Sequence, residues 1–414
     1  MKPAPPVTRI FILTRQSAQP GTWDGLSHRH NWAVTDPLDH IRRLAQEIGP
    51  RPSTSKAERV AAAYIQQQLE KFGFTVRLES FRSVRSFSHT YIPVFILAIA
   101  GFVAAAVFDK GAVGWLLTGI AGVAFIGENT TTFPFASALV PKGKSQNVVG
   151  RLAARELPRR RLILTAHYDS ARSGMMWHPR LVRAFRRTFV LQAFSMVALP
   201  VLVGIQAVTQ ERLFGYLAIP FASFIIVALL LLLQREIFYE HVPGANDNAS
   251  GVGVMLSLCE ALAADAPADT EVMAVATGCE EAGLVGMQKF IRVHKDDLEH
   301  AWLINIDSVG AGDVSYTTAE GMLLKHKAGK ALMEMAEQVS KLPDLNVTGK
   351  PFRVMSLGTV PVLLRRLEAI TVIATSNGLP VNWHLQTDTY DAIDPDTVDT
   401  AYRFVEAMVR RLIA

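Results

Sequence analysis

Four long stretches without a single charged side chain constrain this chain more than anything else in it. Residues 92–108 and 111–127 span 17 positions each, 188–210 spans 23, and 213–234 spans 22. A bilayer core of about 30 Å takes roughly 20 helical residues, with ~17 as the lower end. The last two runs satisfy that length outright and the first two satisfy its lower bound; burial as core helices is the alternative. Asp109-Lys110 and Glu211-Arg212 divide each pair, so each reads as a helical hairpin with a very short polar tip. Gly114, Thr118 and Gly122 recur every four residues, a smooth face for close helix packing. Pro200 and Pro220 are expected to kink the second hairpin. The runs account for a composition that is 50% hydrophobic and 19% charged over 414 residues. Such a chain can bury a core, which excludes disorder. It also argues against a wholly soluble protein.

Outside these runs the pattern alternates between helix and strand. Asp36-Pro37 opens a helix that the Gly-Pro-Arg-Pro run at 49–52 stops. Ser55 begins an amphipathic helix to Lys71, with Val60, Tyr64, Ile65 and Leu69 on one face. Strands are expected at 74–81, 147–152, 161–166, 271–277, 301–306 and 370–374. Helices fit 249–264, 282–295, 326–341, 359–369 and 395–412. Several strands are continuous apolar runs, as in a sheet covered on both faces. The expectation is a three-layer α/β/α sandwich with a mostly parallel mixed sheet, plus inserted transmembrane helical hairpins. Residues 36–90, 141–187 and 235–414 make the sandwich domain, 91–128 the first hairpin and 188–234 the second. Residues 1–35 lack periodicity and read as a poorly ordered arm. The longest apolar stretch there, 10–13, is too short for the core of a signal peptide. Two cysteines, Cys259 and Cys279, exclude a disulfide framework and a cysteine-based zinc module; both read as small packed residues.

Chemistry collects where the strands stop, the usual ligand-binding edge of such sheets. One strand ends in His167-Tyr168-Asp169-Ser170, another in Gly278-Cys279-Glu280-Glu281, a third in Asp307-Ser308. Gly244-Ala245-Asn246-Asp247-Asn248-Ala249-Ser250-Gly251 opens a helix, and His384 lies in the run from Asn382 to Thr389. Each has an ordinary explanation taken alone. His167 fits a core histidine, Asp247 or Asn248 a helix cap, Glu280-Glu281 an acidic first helical turn, and Asp307 a turn residue. Five clusters at strand ends exceed what capping explains. Two histidines and several carboxylates without cysteine suit zinc, with manganese or cobalt as alternatives.

In that order the segments resemble the M28 family of zinc peptidases, the aminopeptidase-like members of the co-catalytic metallopeptidases. The matching residues are His167-Tyr168-Asp169-Ser170, the 244–251 run, Glu280 through Gly286, Asp307-Ser308-Val309-Gly310 and His384 through Thr389, with Ile48-Gly49-Pro50-Arg51 at the entrance. The related M20 peptidases share the ligand types, but the 244–251 run favours M28. The resemblance implies two metal ions bridged by Asp247, one also held by His167 and Asp307, the other by Glu281 and His384. It implies that Asp169 orients the His167 ring, that Glu280 is the general base, and that the Asp247–Asn248 peptide is cis. A peptide substrate and removal of N-terminal residues follow from the same source. A metallo-carboxypeptidase or amidohydrolase, and a non-catalytic receptor on the same fold, are the alternatives. Intact ligand positions and Glu280 count against the receptor.

Two departures from the family matter. One is Cys279 directly before Glu280, which reads as a small packed residue rather than a ligand. The other is the connection between His167 and Asp247, which the family keeps short. Between His167 and Asp247 lie 79 residues (247 − 167 − 1), which hold the second hairpin, so the site is expected to face a bilayer surface. Arg180, Arg183, Arg186 and Arg187 interleave with apolar residues just before that hairpin and read as an interfacial segment against anionic headgroups. Arg159-Arg160-Arg161 reads as a solvated turn. No larger basic surface suggests nucleic acid, and spans without ionisable residues argue against a transporter. Nothing in the residues sets an oligomeric state. Nine Lys and Arg residues flank the spans on the domain side (Arg77, Arg82, Arg85, Lys142, Arg180, Arg183, Arg186, Arg187, Arg235), against Lys110 and Arg212 at the tips. By the positive-inside rule the protein is expected to cross the cell membrane four times with a cytoplasmic catalytic domain.

Overall fold

The computed structural model describes residues 34–130 and 135–414. The expected N-terminal arm falls outside the described residues, except for its last two positions. In chain order the first elements are α1 (Pro37–Arg42), continued by a π-turn at Arg43–Ile48, α2 (Lys56–Lys71), β1 (Thr75–Ser83), α3 (Phe87–Ala106), α4 (Gly111–Asn129) and α5 (Phe135–Leu139). Next come β2 (Gly143–Leu152), β3 (Arg160–His167), α6 (Pro179–Val182), α7 (Phe185–Thr209) and α8 (Arg212–Phe238). They are followed by α9 (Gly251–Ala264), β4 (Thr270–Thr277), α10 (Val285–Val293), α11 (Lys295–Leu298), β5 (Ala301–Asp307), β6 (Asp313–Glu320) and β7 (His326–Lys327). The last are α12 (Lys330–Val339), β8 (Thr348–Phe352), α13 (Val360–Leu363), β9 (Ala369–Thr375) and α14 (Pro395–Ile413).

The strands form one mixed sheet in the order β1-β2-β4-β3-β5-β9-β6-β7, with β8 beside β6. Its centre, β4-β3-β5-β9, is parallel, and antiparallel pairs flank it. Leu162, Ile163, Leu164 and Ala166 of β3 have no exposed surface, because helices cover both faces. Burial of each such aliphatic side chain is worth roughly 1.5–3 kcal/mol. Ile163, Met273, Val275 and Leu303 meet α10, α11 and α13 through Met287, Phe290, Leu298 and Val362. The alternate residues face the other side, where α9 packs on β3 and β5 and α14 on β9.

Helix starts follow their caps. Ser55 Oγ accepts the Glu58 N–H at 3.0 Å to open α2, and Asp394, followed by Pro395, caps α14. The buried stripe of α2 is Glu58, Ala61, Ala62, Ile65 and Leu69, not the face centred on Val60 and Tyr64, since Val60 is 51% exposed. Two other readings are corrected. Residues 326–327 are strand, so α12 begins only at Lys330. The expected helix over 359–369 is the single turn α13, ended before Arg366, whose φ of 58° leaves the helical region. Strands β6, β7 and β8 were not anticipated. Arg160 and Arg161 belong to β3 rather than to a turn, and Arg161 Nε pairs with Glu271 at 2.6 Å.

Helices α3, α4, α7 and α8 are each long and apolar enough to cross a membrane. They pack in a ring, α3 on α4, α4 on α7, α7 on α8 and α8 back on α3, around Phe95, Ala98, Phe125, Met196, Leu199, Ala222 and Ile225. The four-residue small stripe sits at these contacts. A Cβ on Gly114 would lie 2.6 Å from the Gly101 carbonyl oxygen, and one on Gly122 2.6 Å from that of Met196. The outer faces stay apolar and exposed, among them Ile96, Val123, Phe194, Val201, Val227 and Leu230. Helices α7 and α8 continue through Pro200 and Pro220, and α3 through Pro93.

Candidate metal centre

Six side chains from five parts of the chain converge at the carboxyl edge of the sheet. His167 is the last residue of β3 and Asp307 the last of β5. Glu280 and Glu281 follow β4, His384 lies in the segment after β9, and Asp247 stands in the turn Ala245–Ser250 that leads into α9. One Asp247 oxygen is 3.1 Å from His167 Nε2 and the other 3.0 Å from His384 Nε2. Asp307 Oδ1 is 3.9 Å from the same His167 nitrogen, and Glu281 Oε1 is 3.2 Å from that of His384. The donor atoms of His167, Asp247 and Asp307 lie within 4.8 Å of one another, as do those of Asp247, Glu281 and His384. Asp247 is common to both groups.

Backbone ties hold this arrangement. Asp388 accepts the N–H groups of Asn246 and Asp247 at 2.6 and 3.1 Å. Asn248 accepts from Gly251 and Ser308 and donates to the Ile306 carbonyl, which locks the turn onto the end of β5. The Asp247–Asn248 peptide is cis. Gly244 has a φ of 63°, and a Cβ there would sit 2.5 Å from the Asp247 carbonyl oxygen. Arg51 is fully buried and donates to the carbonyls of Leu44, Gly49, Tyr168, Pro243 and Gly244. It thereby joins the His167 strand end to the Asp247 turn.

A second set of ties fixes the Glu280-Glu281 pair. Asp169 accepts the N–H of Glu280 at 2.9 Å, that of Glu281 at 3.2 Å and the Ser53 hydroxyl at 2.7 Å. Its carboxylate stands 3.7 Å from His167 Nδ1, whose nearer acceptor, at 3.2 Å, is the Asp169 carbonyl. Glu58, on α2, accepts the Cys279 N–H at 3.1 Å, the Ser145 hydroxyl at 2.9 Å and the Thr54 N–H at 2.8 Å. Two carboxylates thus hold three consecutive N–H groups, with Cys279 at a φ of 54°. Sequence reasoning missed Glu58, Asp388 and the breadth of Arg51's contacts. Glu58 left one signal, a charged residue on the apolar stripe of its helix.

Electrostatics in the cluster favour a cation. Burial raises the Glu280 carboxyl well above its ordinary range, and Glu281, Asp307 and Asp169 add to the effect. Burial likewise lifts Asp307 to about 6. Burial opposes charge on His384, yet Glu281 and Asp247 push it up to about 10. Among the described residues, Glu281 Oε2 is buried with no hydrogen-bond partner and Oε1 faces only the His384 ring at 3.2 Å, a costly state for a carboxylate unless a cation stands beside it. The imidazole protons of His167 and His384 stand where a divalent ion would compete for the same carboxylates. A set of two imidazoles and three carboxylates fits zinc, manganese or cobalt.

Residues 234–409 match the model of Peptidase family M28. This stretch, less than half of the chain, is similar to the M28 peptidases. It includes Asp247, Glu280, Glu281, Asp307 and His384; His167 and Asp169 precede it. The aminopeptidase YwaD of Bacillus subtilis (strain 168) is 39% identical over 70 residues, 16% of this chain and 15% of that protein. The alignment thus spans only a small part of that relative's length. Among solved structures, the zinc aminopeptidase BSAP from Bacillus subtilis superposes with a TM-score of 0.55 at 15% identity, covering 91% of this chain and 94% of its own. A glutaminyl cyclase from Porphyromonas gingivalis gives 0.54 at 14% identity, covering 92% and 99%. At these identities the likeness is one of fold alone.

Proposed function

We propose that this chain is a membrane-embedded, metal-dependent exopeptidase that removes N-terminal residues from peptides. The observation that carries the reading is Asp247, whose two oxygens face two separate His-and-carboxylate groups. Two zinc ions are the proposed occupants, with manganese or cobalt as alternatives. His167 and Asp307 would complete one site, and Glu281 and His384 the other. Bound there, the ions supply Lewis acidity, polarising a scissile carbonyl and acidifying water.

The remaining roles belong to the chain itself. Glu280 adjoins a ligand without being one, so its carboxylate is free to take a proton from the attacking water and deliver it to the leaving amine. Burial and neighbouring carboxylates raise its proton affinity, as that exchange requires. Asp169 and Glu58 fix the backbone that aims it. Support for the aminopeptidase branch comes from the family match, the YwaD alignment and the BSAP fold. The apolar outer faces of α3, α4, α7 and α8 support embedding in a bilayer, and the bias of basic residues to the domain side supports a cytoplasmic site.

The test is hydrolysis of free and N-acetylated peptide panels by detergent-purified protein, with and without chelator. Chelator-sensitive release of N-terminal residues from free peptides alone is the expected result. Equal cleavage of blocked peptides would reject the aminopeptidase assignment. Ammonia release from peptides with N-terminal glutamine, without peptide-bond cleavage, would move the chain toward the cyclase.

A further inference from the structure

At the domain-side end of the first hairpin, a cavity of about 470 Å³ is lined by Arg85, His89, Ile92, Val140, Pro141 and Lys142. That volume lies within the usual ~300–1,000 Å³ range of small-molecule sites. Arg85 precedes α3, His89 and Ile92 belong to its first turns, and 140–142 join α5 to β2. The lining therefore combines two cations, Arg85 and Lys142, with the apolar Ile92, Val140 and Pro141.

Neither Arg85 nor Lys142 has a carboxylate partner among the described residues, whereas Arg235 and Arg172 are both committed to one. Arg235 Nη1 holds Glu236 at 2.6 Å and the hydroxyls of Ser86 and Ser88. Arg172 Nε lies 3.5 Å from the same Glu236. Glu236 also faces His89 Nε2 at 3.5 Å, but with two guanidiniums beside it this carboxylate does not cancel the charge of Arg85 and Lys142. Two cations without a carboxylate partner among the described residues thus line the cavity together with Ile92, and one turn further along α3 is Ile96, which is 50% exposed. An amphiphile with an anionic head and an apolar tail matches that order of surfaces.

We propose that this cavity binds the phosphate headgroup of an anionic phospholipid, with Arg85 and Lys142 contacting the phosphate and an acyl chain lying along Ile92 and Ile96 of α3. The proposal rests on the membrane-embedded part of the proposed function and not on its peptidase chemistry. A lipid seated there would bridge the β1–β2 end of the sheet and the first hairpin, and would fix the depth of the domain at the bilayer surface.

The test uses the full chain, delipidated in a neutral detergent and titrated with short-chain phosphatidylglycerol, short-chain phosphatidylcholine, glycerol phosphate and inorganic phosphate, with bound mass read by native mass spectrometry. Phosphatidylglycerol should bind in preference to phosphatidylcholine. The double variant Arg85→Ala/Lys142→Ala should lose about thirtyfold in phosphatidylglycerol affinity, as expected for two interfacial basic contacts, while phosphatidylcholine binding stays unchanged. The matched control, Lys330→Ala on α12 with Lys341→Ala just after it, should bind as the parent does. Undiminished phosphatidylglycerol binding by the Arg85/Lys142 variant, or an equal loss in the control, overturns the site. Glycerol phosphate or inorganic phosphate binding as tightly as the lipid overturns the lipid as its occupant. Resistance to alkaline extraction from phosphatidylcholine vesicles, scored on the same variants, reports bilayer embedding separately, and peptide turnover in detergent reports the peptidase reading.

Discussion

The indole of Trp177 meets the imidazole of His384 edge-on, with ring centroids 4.2 Å apart. Trp177 also stacks on Phe185, the first residue of α7, at 5.0 Å. The candidate metal centre and the second apolar hairpin are therefore joined through one buried side chain. Trp177→Ala should destabilise the protein by about 3–5 kcal/mol and lower metal content, because the His384 ring loses its wall. Trp177→Phe should recover most of both. Thermal unfolding in detergent and metal analysis of the purified variants check this; full metal content in the alanine variant would show that the ring contact is dispensable.

Removing single groups from the cluster should separate binding from chemistry. Glu280→Gln should keep its metal and its fold and lose roughly 10²–10⁴-fold in turnover. On the proposed two-metal reading, His384→Ala should hold one ion fewer than the parent. Chelation should abolish turnover, and zinc, manganese or cobalt should restore it. Near-normal turnover by Glu280→Gln would mean that another group moves the proton.

Glu58 stands behind Cys279 and touches no proposed ligand. Glu58→Ala leaves the Cys279 N–H, the Ser145 hydroxyl and the Thr54 N–H without their acceptor, each worth about 1–3 kcal/mol when buried. The expected outcome is a lower melting temperature and a lower kcat with KM little changed. Glu58→Gln, which keeps an acceptor, should be milder on both counts. A shift confined to KM would argue against positioning of Glu280.

Gly122 and Gly119 provide a matched pair within α4. A Cβ on Gly122 would strike the Met196 carbonyl oxygen, while one on Gly119 meets nothing within 4 Å. Gly122→Val should destabilise the helical ring by about 1–3 kcal/mol, as overpacking does, and Gly119→Val should be nearly neutral. Unfolding midpoints in detergent distinguish them; equal effects would refute close packing of α4 on α7.

Reporter fusions test orientation. With alkaline phosphatase fused after residue 414, a bacterial host should show no phosphatase activity, and a fusion within the 209–212 tip should show it. The reverse pattern would place the peptidase domain outside the cytoplasm.

Much of the candidate cluster was legible because its residues stand in short motifs that survive without their surroundings: His167 and Asp307 end strands, Glu281 follows one, and Asp247 precedes a helix. His167, Asp247, Glu281, Asp307 and His384 could all be named from sequence, and the structure brings them together. The outer sheet was less legible. Strand β6, Asp313–Glu320, is rich in Ser and Thr, and its burial depends on partners far away in the chain. Strand β8 contains Gly349 and Pro351, residues that argue against a strand but are tolerated at a sheet edge. Residues 359–369 carry an apolar helical pattern, which a backbone reversal at Arg366 cuts short. Glu58 was overlooked because a lone acid on a helix is ordinarily solvated, and only its neighbours Ser145 and Cys279 reveal otherwise.

The placement of α7 and α8 between His167 and Asp247 sets a schedule for biosynthesis. His167 leaves the ribosome first, the entire second hairpin follows, and only then is Asp247 made. Because α7 and α8 run antiparallel with a two-residue connection, Gln210-Glu211, the chain returns to where it left. The two residues can meet at 3.1 Å only after that round trip. The His167–Asp247 pair therefore cannot assemble in any nascent chain until both helices of the hairpin have been made.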